Sequence, residues 1–292
     1  MGRQGRECLG HPLQDAQEED CMCLRFDDVT GAWIMVVADG HGRYGHLVAS
    51  EICKVLPNML VKALDEAQAQ QAIKKAFSEA EVRLEAAAQD QGFDLSKSGA
   101  AVAAALLTPE GVVHLASCGD AQAVVVDVRT GNIAASRLHK AHDSREQQRI
   151  LAAGGSIKVE RPRCRNTVAS RVYGRSPFGL AMSRSFGDLC VKAFGVIAEP
   201  SLVTGRVSDE ACLILGSDGL FEFLAPVEAL TILRRRACSS DSLALALVKE
   251  AQARWERNEA GLYCDDVSCL LLCPRGSLEK VVAKLPIQPP GT

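Results

Sequence analysis

Hydrophobic residues in the N-terminal part of the chain form two strand-like patterns and then a long helical one. Apolar and polar residues alternate over residues 21–26, which predicts a half-buried strand, and the continuous apolar run AWIMVVA at residues 32–38 predicts a fully buried one. From residue 45 to residue 90 the pattern is helical, with interruptions at Pro57 and near Asp65. This part of the chain therefore predicts a strand hairpin followed by two antiparallel helices.

Residues beyond 98 return to strand-like patterns separated by short turns. Four strands are predicted at residues 100–107, 112–118, 121–128 and 133–137. Their short connections indicate an antiparallel meander. A helix capped by Asp143 or Ser144 and ending at Gly154-Gly155 follows, and then an arginine-rich loop over residues 161–177. The remaining predicted elements are strands at residues 201–207, 211–216 and 267–273 and helices at residues 226–237 and 242–257.

Strand hairpins and helix pairs alternate along the chain without the βαβ periodicity of a parallel sheet. We therefore expect an α+β fold in which antiparallel sheets carry helices on their outer faces. No linker or internal repeat divides the sequence, so residues 1–292 are predicted to form one domain. About 15 residues at each end are expected to be loose.

Composition excludes several classes of protein. The chain has 292 residues, 47% of them hydrophobic, and a formal net charge of -3 from 33 Lys and Arg against 36 Asp and Glu. These values are typical of a folded globular protein rather than a disordered one. With 8 Phe, 3 Tyr and 2 Trp and no global basic field, nucleic acid is not an expected partner. No apolar run reaches the ~18 residues that a membrane-spanning helix needs.

The 12 cysteines are scattered along the chain, and no N-terminal apolar segment directs the protein to an oxidising compartment. We therefore expect reduced thiols and a cytoplasmic or nuclear protein. Cys21 and Cys23 would point to one face of their strand. Packing as small hydrophobic side chains is favoured there over a structural zinc site.

Acidic residues occur at the ends of the most apolar strands. They are Glu19 and Asp20 before the first strand, Asp39 after the second, Asp218 after residues 211–216 and Asp265 before the last strand. Each alone is explained by a turn or a solvated strand end. If the strand ends converge, the carboxylates would repel one another and take up protons unless a cation lies among them. Oxygen ligands without a His or Cys cluster favour Mg²⁺ or Mn²⁺ over zinc.

Two further residues could belong to such a site. His41, two residues after Asp39, can transfer protons near neutral pH, although away from a metal an ordinary turn histidine is the simpler interpretation. Asp120, between two predicted strands, is either a further ligand or a hairpin-turn aspartate.

Eight segments, in order along the chain, match the motifs of a known family. They are VVADGHGRYGH (36–46), SGAAVAAALL (98–107), ASCGDAQAVV (116–125), RILAAGGSI (149–157), LAMSRSFGD (180–188), VIAEPSL (196–202), LILGSDGLFEFL (213–224) and DDVSCLLL (265–272). With these motifs the chain resembles protein phosphatase 2C, the metal-dependent serine/threonine phosphatases. The resemblance implies two packed antiparallel sheets flanked by antiparallel helix pairs. It also implies hydrolysis of phosphoserine and phosphothreonine in proteins.

The resemblance implies roles for individual residues as well. The implied ligands of two Mg²⁺ or Mn²⁺ ions are Glu19 or Asp20, Asp39 as the bridge, the Gly40 carbonyl, Asp218, Asp265 and, for a weaker third ion, Asp120. The ions would activate a water that attacks phosphorus. His41 would protonate the departing serine or threonine oxygen.

Three positions depart from the family pattern. Residues 11–20 contain no Arg where the family commonly has one to hold the substrate phosphate, and His11 lacks the bidentate fork. Glu222 stands in place of the usual Asp, and Asp266 in place of the usual Asn. The missing arginine leaves a rival interpretation, a catalytically weak or inactive member that acts as a binding or regulatory module. A serine hydrolase is not favoured, because residues 216–219 lack the GxSxG spacing.

Other chemical features have ordinary interpretations. His139 and His142 have a spacing that suits a metal on a helix, but a solvated loop is favoured. The arginines at 234–236 end a predicted helix, where cations complement the dipole, rather than forming a nucleic-acid patch. Arginines between residues 161 and 175 lie in the segment that the family uses as a flap, where they would guide phosphopeptides or simply be exposed. We expect a monomer that acts on phosphorylated proteins.

Overall fold

The computed structural model describes residues 19–64, 68–160, 169–236, 242–261, 263–273 and 281–285. The strands in these ranges are β1 (Cys21–Asp27), β2 (Ala32–His41), β3 (Gly99–Leu107), β4 (Val112–Cys118), β5 (Gln122–Asp127), β6 (Ile133–Ala135), β7 (Ser156–Glu160), β8 (Ala169–Tyr173), β9 (Gly179–Leu180), β10 (Phe186–Gly187), β11 (Ser201–Arg206), β12 (Ala211–Gly216), β13 (Val267–Leu272) and β14 (Val281–Leu285). The helices are α1 (Gly45–Leu64), α2 (Ala69–Gln91), α3 (Ser144–Ala152), α4 (Leu189–Lys192), α5 (Asp218–Phe221), α6 (Pro226–Arg236) and α7 (Leu243–Asn258).

Two antiparallel sheets form the centre of the fold. The first has the strand order β1-β2-β3-β4-β11, with β10 paired to the start of β3. The second has the order β14-β13-β12-β5-β6. Near the C-terminal end, β14 pairs with β13. The N-terminal end that was expected to be loose lies outside the described residues.

Strand β2 shows why its sequence is a continuous apolar run. Ile34 and Val36 contribute to a core cluster with α1 and α2, whereas Met35 and Val37 pack against residues of the second sheet. Successive side chains of a strand point to opposite faces. A strand that is buried on both faces therefore needs apolar residues at every position.

Helices cover the outer face of each sheet. Ile52 of α1 and Phe77 of α2 pack on the first sheet, and Leu247 and Trp255 of α7 pack on the second. The layers are therefore helix, sheet, sheet and helix, and the expected α+β fold of two packed antiparallel sheets is confirmed. Within the described ranges, no helix combines the length and the hydropathy that a bilayer crossing requires.

The predicted meander of four consecutive strands is wrong at its centre. β3 pairs with β4 and β5 pairs with β6, but β4 and β5 lie in different sheets. The chain changes sheet at Gly119, which has a φ of 101° and where an added Cβ would lie 2.6 Å from the Ala101 side chain. A glycine is needed for both reasons. Hydrophobic alternation is the same on either side of a crossing or a hairpin, so the pattern does not distinguish them.

The predicted interruption of the first helix at Pro57 is also wrong, since α1 continues through this residue. A proline removes one backbone hydrogen bond from a helix. Pro57 is itself buried, and the helix face that carries Ile52 and Leu56 packs on the first sheet. This packing outweighs the lost hydrogen bond. The predicted break near Asp65 falls outside the described residues, between α1 and α2.

The segment 161–177, predicted to be a loop, contains strand β8. This strand pairs with β7 and β9 in a third, smaller sheet. Arg171 of β8 donates to the Gly179 carbonyl at 2.8 Å and lies 3.6 Å from Glu160. The loop prediction is therefore wrong for β8, where Arg171 links neighbouring strands. Residues 161–168, with three of the predicted flap arginines, lie outside the described part of the chain.

Helix α3 begins and ends as the sequence predicts. The Asp143 side chain caps it by accepting from the Arg145 N–H, and Gly154 beyond its end has a φ of 78°. Upstream, His139 is fully buried, and its backbone N–H and carbonyl are hydrogen-bonded to Gly119 and Ser183. The prediction of a solvated loop is therefore wrong for His139, whereas His142 is exposed.

Candidate active site

The carboxylates predicted at separate strand ends lie close together in the fold. In the β1–β2 pair Cys21 lies opposite Ala38, so Asp20 and Asp39 adjoin at the open end of this hairpin. The backbone N–H of Asp218, which begins α5 directly after β12, lies 3.4 Å from Asp39 Oδ2. β2 and β12 belong to different sheets, so this contact joins the two sheets at one end.

Burial and mutual repulsion change the protonation of these carboxylates. Burial, followed by the negative charges of Asp20 and Asp218, raises the pKa of Asp39 well above its ordinary value. Burial and the charge of Asp265 do the same at Asp218. A carboxyl group with such a pKa holds its proton unless a cation compensates the negative charge.

Glu19 lies beside this group of aspartates. Burial raises the pKa of Glu19 to about 7; His41 opposes this increase, and Asp266 adds to it. The Glu19 backbone N–H lies 3.5 Å from Asp266 Oδ2. The first described residue of the chain is therefore in electrostatic contact with both the end of β2 and the segment before β13.

Gly40 has no space for a side chain. A Cβ at this position would lie 2.5 Å from the carbonyl oxygens of both Glu19 and Gly45. The backbones before β1, at the end of β2 and at the start of α1 therefore approach one another directly, which only a glycine permits. This close approach positions Asp39 and His41, the two neighbours of Gly40.

Lys140 is a site residue that the sequence did not reveal. Its ammonium lies 2.9 Å from Asp120 Oδ2 and 3.3 Å from Glu222 Oε2. Burial by itself would raise the pKa of Asp120, but Lys140, together with His41 and a backbone hydrogen bond, holds this pKa below its ordinary value. Burial would lower the pKa of Lys140, yet Asp120, followed by Asp218, raises it, so the ammonium stays charged. No local pattern marks Lys140, because its partners are 20 and 82 residues away.

The family departures have different structural surroundings. Glu222, in place of the usual Asp, reaches Lys140 as described above. Asp266, in place of the usual Asn, accepts a hydrogen bond from Ser217 Oγ on its backbone carbonyl at 3.1 Å. Residues 11–18, where the arginine is missing, lie outside the described part of the chain.

His41 forms a hydrogen bond with Asp188, a residue to which the sequence motifs assigned no role. His41 Nε2 lies 2.7 Å from Asp188 Oδ2. Burial would lower the pKa of His41, but the charge and the hydrogen bond of Asp188 raise it above its ordinary value. Asp188 ends the segment LAMSRSFGD, so the Gly-Asp dipeptide was a usable signal without an assigned role.

The donor chemistry of the site fits a hard divalent cation. In the described ranges, no three side chains of His, Cys, Asp or Glu are already arranged to hold a metal ion. The available donors are oxygens, however, and Asp39 and Asp218 have raised pKa values that a cation would lower. Asp120 Oδ1 is buried and has no hydrogen-bond partner among the described residues. Buried oxygens with uncompensated charge are the groups that Mg²⁺ and Mn²⁺ bind.

Known proteins with related sequences support the resemblance seen in the motifs. The family model described as Protein phosphatase 2C matches residues 32–259. The chain is 29% identical over 285 residues to "Probable protein phosphatase 2C 48" of Oryza sativa subsp. japonica, covering 87% of this chain and 79% of the relative. It is 27% identical over 256 residues to "Probable protein phosphatase 2C 34" of Arabidopsis thaliana, covering 81% of this chain and 70% of the relative.

A solved structure shares the fold. The protein described as "Crystal structure of serine-threonine phosphatase 2C from Toxoplasma gondii" superposes with a TM-score of 0.73 and 20% sequence identity, covering 88% of this chain and 90% of that one. At this identity the likeness concerns the fold alone. The family match contains Asp39, Asp120 and Asp218, whereas Glu19 and Asp265 lie outside its range.

Proposed function

We propose that this chain hydrolyses phosphoserine and phosphothreonine in proteins, because it belongs to the protein phosphatase 2C family. The family match supports protein phosphatase function and phosphoprotein substrates. The observation that carries the finer proposal is the approach of Asp39 and Asp218, two carboxylates from different sheets whose pKa values are both raised. Strongly perturbed carboxylates at the meeting point of two sheets are typical of an active site.

The proposed centre holds two Mg²⁺ or Mn²⁺ ions. Its proposed ligands are Asp39, the Gly40 carbonyl, Asp218, Asp265 and Glu19 or Asp20, with Asp120 for a third ion. When bound, ions of this kind supply an activated water at neutral pH and offset the charge of the phosphate. Asp120 differs from the other ligands because Lys140 already compensates its charge. A third ion would therefore compete with this ammonium, which agrees with a weaker site.

His41 is proposed to protonate the departing serine or threonine oxygen. Asp188 raises the pKa of His41, so a larger fraction of this side chain carries a proton near neutral pH. An alkoxide is a poor leaving group unless it receives a proton as the bond to phosphorus breaks. A protonated imidazole beside the carboxylates is suited to this task.

A catalytically weak or inactive family member that acts as a binding or regulatory protein is the second candidate. The observation in its favour is the absence of Arg from residues 11–20. A bidentate arginine binds phosphate strongly, so its loss weakens substrate binding more than metal chemistry. The two candidates therefore differ in turnover and not in fold or metal binding.

Hydrolysis of a phosphothreonine peptide, titrated with Mn²⁺ and Mg²⁺, separates the candidates. We expect turnover that a chelator abolishes and that falls at least ~10²-fold in Asp39→Asn and in Asp218→Asn, since even outer partners of metal ligands contribute up to about that much. Asp28→Asn, which changes an exposed aspartate in the β1–β2 turn, is the matched control and should leave turnover unchanged. A folded protein that binds Mn²⁺ by calorimetry but releases no phosphate would refute the enzyme and support the regulatory candidate.

A further inference from the structure

A fully buried carboxylate, Asp188, faces His41 at the edge of the candidate site. The 2.7 Å between Asp188 Oδ2 and His41 Nε2 is the distance of a charge-assisted hydrogen bond. Asp188 has no exposed surface, whereas His41 is partly exposed. Removing a carboxylate from water is strongly unfavourable unless a partner compensates its charge. His41 is in the position to be that partner.

The Asp188 carboxylate does not cap the helix that it precedes. Asp188 lies directly before α4, where an aspartate side chain usually caps the helix by accepting from N–H groups of the first turn. Its side chain makes no capping hydrogen bond. A role in stabilising this short helix therefore does not explain the direction of the carboxylate.

The backbone of Asp188 lies in the left-handed region, which few residues other than glycine, asparagine and aspartate adopt. Its φ is 51°, and the preceding Gly187 has a φ of 71°. The Asp188 N–H donates to the Ser98 carbonyl at 3.0 Å, and the Gly187 N–H donates to Glu81 Oε2 at 3.1 Å. Surrounding hydrogen bonds therefore maintain this uncommon backbone conformation, in which the Asp188 carboxylate reaches His41.

Gly99 provides the space through which the two side chains meet. At the start of β3 it pairs with His41 of β2 on one side and with Gly187 of β10 on the other. A Cβ on Gly99 would overlap the Asp188 carboxylate. Because Gly99 has no side chain, Asp188 reaches across this strand to His41. Three neighbouring strands thus build the contact.

We propose that Asp188 is a positioning residue for His41 and that Nδ1 of His41 is the nitrogen that gives its proton to the departing oxygen. The Asp188 carboxylate accepts the hydrogen bond of Nε2–H, and Nδ1 has no hydrogen-bond partner among the described residues. The hydrogen bond fixes the ring plane, so Nδ1 is held in one direction. This inference rests on the function proposed above.

The proton balance of the step is simple. Water adds to phosphorus as the bond between phosphorus and the serine or threonine oxygen breaks, and His41 Nδ1 gives its proton to that oxygen. The products are the free hydroxyl group and hydrogen phosphate. A proton released from the attacking water to solvent balances the proton that His41 regains from solvent. Asp188 accepts the Nε2–H hydrogen bond throughout and neither gains nor loses a proton.

Asp188→Gly tests the proposal, because glycine tolerates a positive φ and removes only the carboxylate. We expect kcat for a phosphothreonine peptide to fall at least ~10²-fold with little change in KM, the size of a general-acid contribution. The kcat for 2,4-dinitrophenyl phosphate should stay within about threefold, because this leaving group departs without a proton. Asp188→Asn retains an acceptor for Nε2–H and should restore part of the peptide activity.

Three further variants distinguish a positioning role from a general loss of structure. His41→Gln should show the same substrate dependence as Asp188→Gly, and the double variant should be no slower than His41→Gln, because residues that act as a unit are not additive. Asp90→Asn, which alters an exposed aspartate of α2, should leave the kcat for both substrates unchanged. Equal losses on both substrates in Asp188→Gly, or additive losses in the double variant, would overturn the positioning role.

Nitrogen NMR of the His41 ring provides a readout that does not depend on turnover. In the wild-type protein we expect a protonated, hydrogen-bonded Nε2 whose signal shifts in Asp188→Gly and not in Asp90→Asn. An unchanged signal in Asp188→Gly overturns the contact itself, even if the enzyme is active. A protein with the expected signal but no turnover on either substrate overturns the proposed function, and with it the use of the contact in catalysis.

Discussion

Acidification should destabilise this protein through a buried histidine, His139. Its side chain is fully buried, and burial, followed by the positive charge of Arg184, lowers its pKa from the ordinary 6.5 to about 4. In the unfolded chain the imidazole returns to its ordinary value. Between the two values the unfolded state binds a proton that the folded state does not bind. The free energy of unfolding therefore falls as the pH falls through this window.

The size of the effect follows from the difference between the two pKa values of His139. They differ by about 2.5, and each pH unit corresponds to about 1.4 kcal/mol. The free energy of unfolding should therefore lose about 3 kcal/mol between pH ~7 and pH ~4. Above the ordinary value both states carry a neutral ring, so the contribution is constant there. A loss of this size is a large fraction of the ~5–15 kcal/mol that stabilises a typical domain.

His139→Asn removes the titrating ring and keeps an acceptor near Nδ1, which lies 3.2 Å from the Gly119 amide nitrogen. Urea unfolding of the wild-type protein and of His139→Asn, in the presence of a chelator and at several pH values, gives the difference in their free energies of unfolding. The other titrating groups are the same in both proteins, so their contributions cancel in this difference. His142→Asn, at an exposed position, is the matched control. The wild-type protein should lose about 3 kcal/mol relative to His139→Asn as the pH falls to ~4. Parallel curves for the two proteins would refute the reasoning.

Three other substitutions test contacts around the site and the core. Lys140→Met should tighten Mn²⁺ binding, measured by calorimetry, because Asp120 loses its compensating ammonium. Gly40→Ala should prevent folding or destabilise the protein by several kcal/mol in urea unfolding, since its Cβ would meet two backbone oxygens at 2.5 Å. Glu146→Gln should cost about 3–5 kcal/mol at neutral pH, because Glu146 is buried and paired with Arg184 at 2.8 Å.

Each of these expectations has a clear contrary result. Unchanged or weaker Mn²⁺ binding in Lys140→Met would mean that the ammonium does not compete with a cation at Asp120. A Gly40→Ala protein of wild-type stability would show that the backbones at this position can separate. Burial alone would raise the pKa of Glu146, but the hydrogen bond and charge of Arg184 keep this pKa below its ordinary value. The stabilisation is therefore present above the ordinary pKa of a glutamate and is lost in acid, so a variant cost that stays constant down to low pH would contradict the pairing.

Element types were largely predictable because they depend on local periodicity. The run at residues 32–38 predicted β2, and the helical pattern beyond residue 45 predicted α1 and α2. Asp143 and Gly154 also marked the limits of α3 correctly. Errors occurred where long-range packing decides the local outcome, as at Pro57, whose lost hydrogen bond is outweighed by packing on the first sheet.

The sequence indicated the acidic residues of the candidate site, but not the residues that pair with Asp120 and His41. Asp39 and Asp218 follow predicted strands, but a metal site required the additional condition that these strand ends converge. The contact between the two residues meets this condition. Lys140 and Asp188 were not assigned roles, because an ion pair or hydrogen bond across the fold leaves no trace in local spacing. What distinguishes Lys140 from any exposed lysine is that its partly buried ammonium pairs with Asp120.

By itself the sequence determined most of the longer strands and helices and the acids at the strand ends, because side-chain periodicity and turn chemistry act over a few residues. The tertiary structure alone decided that the chain changes sheet at Gly119 and that His41 meets Asp188 across Gly99. Residues 147 positions apart in the chain interact there at 2.7 Å. Electrostatic and hydrogen-bond energies depend on distance in space, and the path of the folded chain sets that distance.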